Sequence, residues 1–190
     1  MPVRLPVSGG GPPPEPPPYG GLGHGGWARG RTFLELVEQF PGARTELEAA
    51  FAGTAADDTN RAFFAACRRR VRILALVDLD AFESRLQLAQ VERLCTWSRT
   101  LWMRAFVLRE NVDLRRLFPS SEYPLFVFFG DDGREFARWG PRPRALQEEE
   151  AAAVALTAAE REALRQRFHD RSRGRDLALE VQELLAAHGV

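Results

Sequence analysis

From Thr32 onward the chain alternates between segments patterned for helices and segments patterned for strands. Phe33, Leu34, Val37 and Phe40 fall at the i, i+1, i+4, i+7 spacing of a one-sided helix, and Pro41-Gly42 stops the run. Leu47, Ala50 and Phe51 mark a second helix. A third, over 57–69, puts Ala62, Phe63, Ala66 and Cys67 on one face, where Cys67 reads as a small core residue. Residues 71–77 are apolar except for Arg72, the pattern of a central strand covered on both faces. Asp78-Leu79-Asp80 ends that strand, and 82–97 reads as a helix with Leu86, Leu88, Ala89, Val91, Leu94 and Cys95 among its apolar positions.

A second strand is expected over 101–108. Strand, helix and strand in so short a span form a βαβ unit, which requires a parallel pair with a right-handed crossover. After a short helix over 111–118 and a loop at Pro119-Ser120-Ser121-Glu122, Leu125-Phe126-Val127-Phe128-Phe129 is a third strand. Gly130-Asp131-Asp132-Gly133 is a hairpin turn, and the alternating residues 134–139 form a fourth, antiparallel strand. Thr157 and Glu160 make a capping-box pair ahead of a helix over 158–167, and 176–187 is a final amphipathic helix.

The first 28 residues differ in kind. Gly9-Gly10-Gly11-Pro12-Pro13-Pro14 and Pro16-Pro17-Pro18 cannot bury enough apolar surface to offset the entropy of ordering, so 1–28 is expected to be a disordered Pro/Gly-rich tail. The 190 residues thus amount to one domain, 29–190, with an appendage.

Composition narrows the function classes. Acidic and basic residues balance at 26 each, which gives no global electrostatic reason to expect nucleic acid or an anionic membrane as partner. Every basic residue is Arg, so arginine alone marks no site; the densest cluster, Arg68, Arg69, Arg70 and Arg72, reads as a solvated helix end. Cys67 and Cys95 stand far apart, outside any C-x-x-C, and His24, His169 and His188 show no ligand spacing with them. Neither a zinc site nor a disulfide framework is expected. No glycine-rich phosphate loop follows a strand, so no cofactor is expected either. With no stretch of signal-peptide or membrane-span length, the expected address is the cytoplasm.

The order helix, βαβ, short helix, hairpin, helix resembles the thioredoxin fold. The segment Tyr123-Pro124-Leu125-Phe126-Val127-Phe128-Phe129, followed by the acidic-Gly turn and by Trp139-Gly140-Pro141-Arg142, resembles bacterial thioredoxin-like proteins that carry Trp-Gly-Pro-Arg after the last hairpin. The resemblance covers roughly 31–187. It implies a central four-stranded mixed sheet with flanking helices. It also divides the domain into a helical extension (31–69), a thioredoxin core (70–145) and C-terminal helices (146–188).

The same resemblance places the active position at Asp80-Ala81-Phe82-Glu83-Ser84, with Ala81 where the nucleophilic cysteine belongs and Ser84 where the resolving one belongs. Thiol exchange needs a thiolate, and alanine has nothing to ionise. No catalytic residue is therefore expected. Pro124 matches the family's cis-proline, and Phe82, Tyr123 and Pro124 would line a groove for an extended segment.

Three functions remain open. The chain could be a non-catalytic module binding a peptide or protein in that groove, where an exposed apolar patch is expected. It could be a redox-linked enzyme acting through a lone Cys67 or Cys95, or a scaffold using its terminal extensions. Asp78, Asp80 and Glu83 also gather at a strand end, where caps and dipole partners are the simpler reading than catalysis.

Overall fold

The computed structural model describes residues 21–22, 25–55, 57–153 and 155–190. Three helices lead: α1 (Phe33–Gln39), α2 (Pro41–Gly53) and α3 (Asp58–Ala66). Thr32 and Glu35 form a reciprocal capping box that fixes the start of α1. Then come β1 (Val71–Val77), α4 (Phe82–Trp97), β2 (Leu101–Val107), α5 (Val112–Leu117), β3 (Leu125–Phe129) and β4 (Glu135–Trp139). Helices α6 (Arg144–Ala152), α7 (Ala158–Ser172) and α8 (Arg175–Ala187) close the chain.

The strands form one mixed sheet in the order β2-β1-β3-β4. β1 and β2 are parallel, as the intervening helix demands, while β3 runs antiparallel to both β1 and β4. β1 is buried at every position because the sheet is covered on both faces. Val71, Ile73, Ala75 and Val77 join a core with α1, α2, α4 and α8, whereas Leu74 and Leu76 face the other way, onto Phe106, Leu114, Phe118, Val127 and Phe129. The period-2 pleat thus divides one apolar run between two hydrophobic layers.

The structure departs from the sequence reading in several places. The helix expected over 57–69 ends at Ala66, because Cys67 turns to ψ 125° and leads the chain into β1. The helix expected over 158–167 continues to Ser172 and stops where Arg173 and Gly174 adopt left-handed conformations. α6 has no counterpart in the sequence reading of individual elements, since Gln147-Glu148-Glu149-Glu150-Ala151-Ala152 favours helix but has little apolar periodicity.

Two further corrections share one cause. The sequence puts residues 25–28 in the tail, and Arg72 reads both as part of the 71–77 strand and as one of a cluster at a solvated helix end. In the structure Trp27 begins a short 3-10 helix (Trp27–Arg29) and is buried. Arg72 lies within β1 with its guanidinium 5.8 Å from the Trp27 ring and 5.2 Å from the Trp102 ring. Aromatic faces attract a cation, which favours this placement of the guanidinium. The remainder of the expected tail, residues 1–20, 23 and 24, lies outside the described residues. Among the described residues no helix is long and apolar enough to cross a membrane.

Packing at Trp27 is testable. Trp27→Ala should lower the unfolding free energy by about 3 kcal/mol in urea denaturation, the usual cost of truncating a buried aromatic residue. An unchanged midpoint would show that this segment contributes nothing to the core.

Candidate functional site

At the carboxyl end of β1 the chain turns sharply before entering α4. Asp78 Oδ1 accepts a hydrogen bond from Asp80 N at 3.1 Å, and Ala81 N donates to Asp78 O at 3.1 Å. Ala81 is the N-cap of α4 and has no side chain with which to cap it. Ser84 is fully buried one turn inside, its hydroxyl accepting from Asp78 N at 3.3 Å. Arg85 donates to Leu79 O and pairs with Glu46 of α2 at 2.7 Å, which ties the turn to the helical layer.

The three carboxylates of this strand end do not converge. Asp78 is spent on the turn, and Asp80 is exposed, 3.5 Å from Arg109. Glu83 points inward, with only 12% of its side chain exposed. Its carboxylate accepts from Arg142 Nε at 3.0 and 3.2 Å and lies 3.4 Å from His169 Nε2 and 3.8 Å from Arg165 Nη1. Arg165 Nε also donates to Glu150 Oε1 at 2.6 Å, and Arg142 Nη1 donates to Glu122 Oε2 at 2.5 Å. Six side chains therefore join α4, the loop before β3, the loop after β4, α6 and α7.

Burial pushes the Glu83 carboxyl up. Its hydrogen bond with His169, together with the charges and hydrogen bonds of Arg142 and Arg165, outweighs burial and holds it below the ordinary 4.5. Glu83 also lies in the first turn of α4, where the helix dipole favours a negative charge.

The residues expected to line a groove are brought near this cluster. Pro124 is buried, and the Tyr123-Pro124 peptide is cis. Tyr123 is half-buried with the Arg115 guanidinium 5.9 Å from its ring, and Phe82 is half-buried with its ring edge-on to His169 at 6.2 Å. The exposed large hydrophobic residues, Leu34, Val112, Leu117 and Leu179, include none of the three. In place of the exposed apolar patch expected at the groove stand the Phe82 ring against His169 of α7, the half-buried Tyr123 ring beside Arg115, and the Arg142 bridge. Gly140 makes that bridge possible: at φ +122° it passes so close that a Cβ would sit 2.3 Å from Pro124 O.

Both cysteines are buried and unpaired. Burial pushes the Cys67 thiol up and the Cys95 thiol well up, the direction opposite to thiolate chemistry. Among the described residues no group of His, Cys, Asp and Glu could hold a metal ion. Sequence reasoning missed the partners of Glu83. Arg142 stood within the quoted Trp-Gly-Pro-Arg segment, but Arg165 and His169, and the Glu150 that holds Arg165, carried no spacing that would link them to it.

No family model matches the chain, and no curated protein matches it. Among solved structures, a protein of unknown function from Pseudomonas aeruginosa is similar over 85% of this chain and 95% of its own, at TM-score 0.64 and 15% identity. An HIV epitope-scaffold protein is similar over the same shares at TM-score 0.61 and 14% identity. At these identities the likeness is one of fold. A mutant alkylhydroperoxide reductase component from Enterococcus faecalis matches over 57% of this chain and 52% of its own, at TM-score 0.42 and 11% identity.

The folded-state pKa of Glu83 lies below its unfolded value, so its contribution to stability is complete above the unfolded value and is lost as pH falls through the folded one. Glu83→Gln should destabilise the protein by about 2 kcal/mol at neutral pH, because it removes the one carboxylate that Arg142, Arg165 and His169 share, while Glu122 and Glu150 still hold the two arginines. The gap between variant and wild type should narrow as pH drops below about 4.5. Urea denaturation across pH measures this; a gap unchanged in acid would contradict the assignment.

Proposed function

We propose that this chain is a thioredoxin-like domain that binds an extended peptide segment of a partner protein and does no thiol–disulfide chemistry. One observation carries the reading. The start of α4 and the loop before β3 are held together through Arg142, with Phe82 and Tyr123 half-exposed beside buried Pro124 and no nucleophile at Ala81. Aromatic rings beside an arginine suit a peptide backbone: the rings supply contact area at low entropic cost, and guanidinium N–H groups meet carbonyl oxygens. Redox action through a lone cysteine would need an accessible thiolate, whereas both thiols here are buried with raised pKa values.

The test pans a displayed random-peptide library against the full chain and maps the selected peptide by amide chemical shifts. Shifts should concentrate at residues 81–84 and 122–124, and Tyr123→Ala should weaken binding about tenfold, as truncating an aromatic anchor does. The wild-type protein should not reduce insulin disulfides. Steady turnover in that assay, or shifts confined to another face, would overturn the reading.

A further inference from the structure

A second concavity lies at the opposite end of β1, between the α3–β1 linker and the β3–β4 turn. It encloses about 350 Å³, and its lining includes Arg69, Arg70, Val71, Arg134, Phe136 and His188. The arginines come from two segments far apart in sequence, so their convergence is a product of the fold rather than of a basic run. Three guanidinium groups therefore line one concavity together with an aromatic residue.

The cleft also holds two carboxylates, Asp132 and Glu135, and both are engaged. Glu135 is held by Arg138 through two hydrogen bonds of 2.6 and 3.0 Å. Asp132 accepts from Arg134 N at 3.0 Å and is only loosely placed against its guanidinium, 3.7 Å from Nε. Arg69 uses one amino group on His188 O at 2.9 Å, a cation at the carboxyl end of α8, and its other donors have no partner among the described residues. Arg70 makes no hydrogen bond, ion pair or ring contact among the described residues. One wall is aromatic: the half-buried Phe136 ring and the His188 ring pack at 4.9 Å.

We propose that this cleft binds a small organic phosphate, its phosphoryl oxygens taken by Arg70 and Arg134 and its planar part resting on Phe136 and His188. The planar guanidinium presents paired donors that match phosphate oxygens, and several such groups in one concavity raise the local anion concentration. The aromatic wall selects a phosphate that carries a ring over a bare ion. The site is separate from the groove around Tyr123, and its test does not depend on that reading.

Phenyl phosphate and inorganic phosphate are titrated separately into the full chain at low ionic strength, with amide and arginine side-chain resonances as readout. Phenyl phosphate should bind saturably with Kd below about 1 mM, a range ordinary for small ligands. Shifts should centre on Arg70, Gly130, Arg134 and His188. Arg70→Gln and Arg134→Gln, both at exposed positions, should each weaken binding by about tenfold, while the surface variant Arg44→Gln should not. Inorganic phosphate should bind at least several-fold more weakly. Linear, unsaturated shifts, equal affinity for the two probes, or affinity unchanged in both cleft variants would overturn the proposal.

Discussion

The Glu83 carboxylate, 3.0 Å from Arg142 Nε and shielded from solvent by α7, is the interaction on which the arrangement of this end of the molecule depends. Removing a carboxylate from water costs several kcal/mol unless cations and hydrogen bonds replace the lost hydration. Here Arg142, Arg165 and His169 supply that replacement, all from the chain after β4. The requirement that all three be present fixes where the loop after β4 and α7 must lie. α6 is drawn in by the same demand, because Arg165 is in turn held by Glu150.

The sheet makes that cluster possible. β1 delivers the start of α4 at its carboxyl end, and antiparallel β3 begins beside it, so the loop carrying Glu122 reaches the same place. Gly140 then lets the chain leaving β4 pass against Pro124, which sets Arg142 between the two. A helix N-terminus that favours negative charge would suit a thiolate equally well; in this chain it receives an internal carboxylate instead, and the charge is consumed in holding the fold. This is the physical basis for proposing binding rather than redox chemistry here.

The strands and the α/β class were legible because their signals are local. The apolar run of β1, the Asp-Asp-Gly turn and the Thr157–Glu160 box each need only a few neighbouring residues to be recognised. The α6 helix was not, since its buried face is reduced to Leu146. Trp27 was misplaced, and the solvated reading of Arg72 failed, for a related reason: no periodicity joins a residue in a Pro/Gly-rich segment to a cation in a strand. At the candidate site the positions from Asp80 to Ser84 could be read from the chain, but the direction of Glu83 could not. Its partners lie 59, 82 and 86 residues away; two of them are arginines in a chain with no lysine, and His169 has no spacing that ties it to Glu83.

The most direct measurement is a double-mutant cycle on Glu83→Gln and Arg142→Gln, followed by urea denaturation at neutral pH. If the pair anchors this end of the molecule, the two substitutions should be strongly non-additive, with a coupling energy above about 1.5 kcal/mol. Additivity to within about 0.5 kcal/mol would mean that the two residues act independently, and the account of the site as an ion-paired hub would fail.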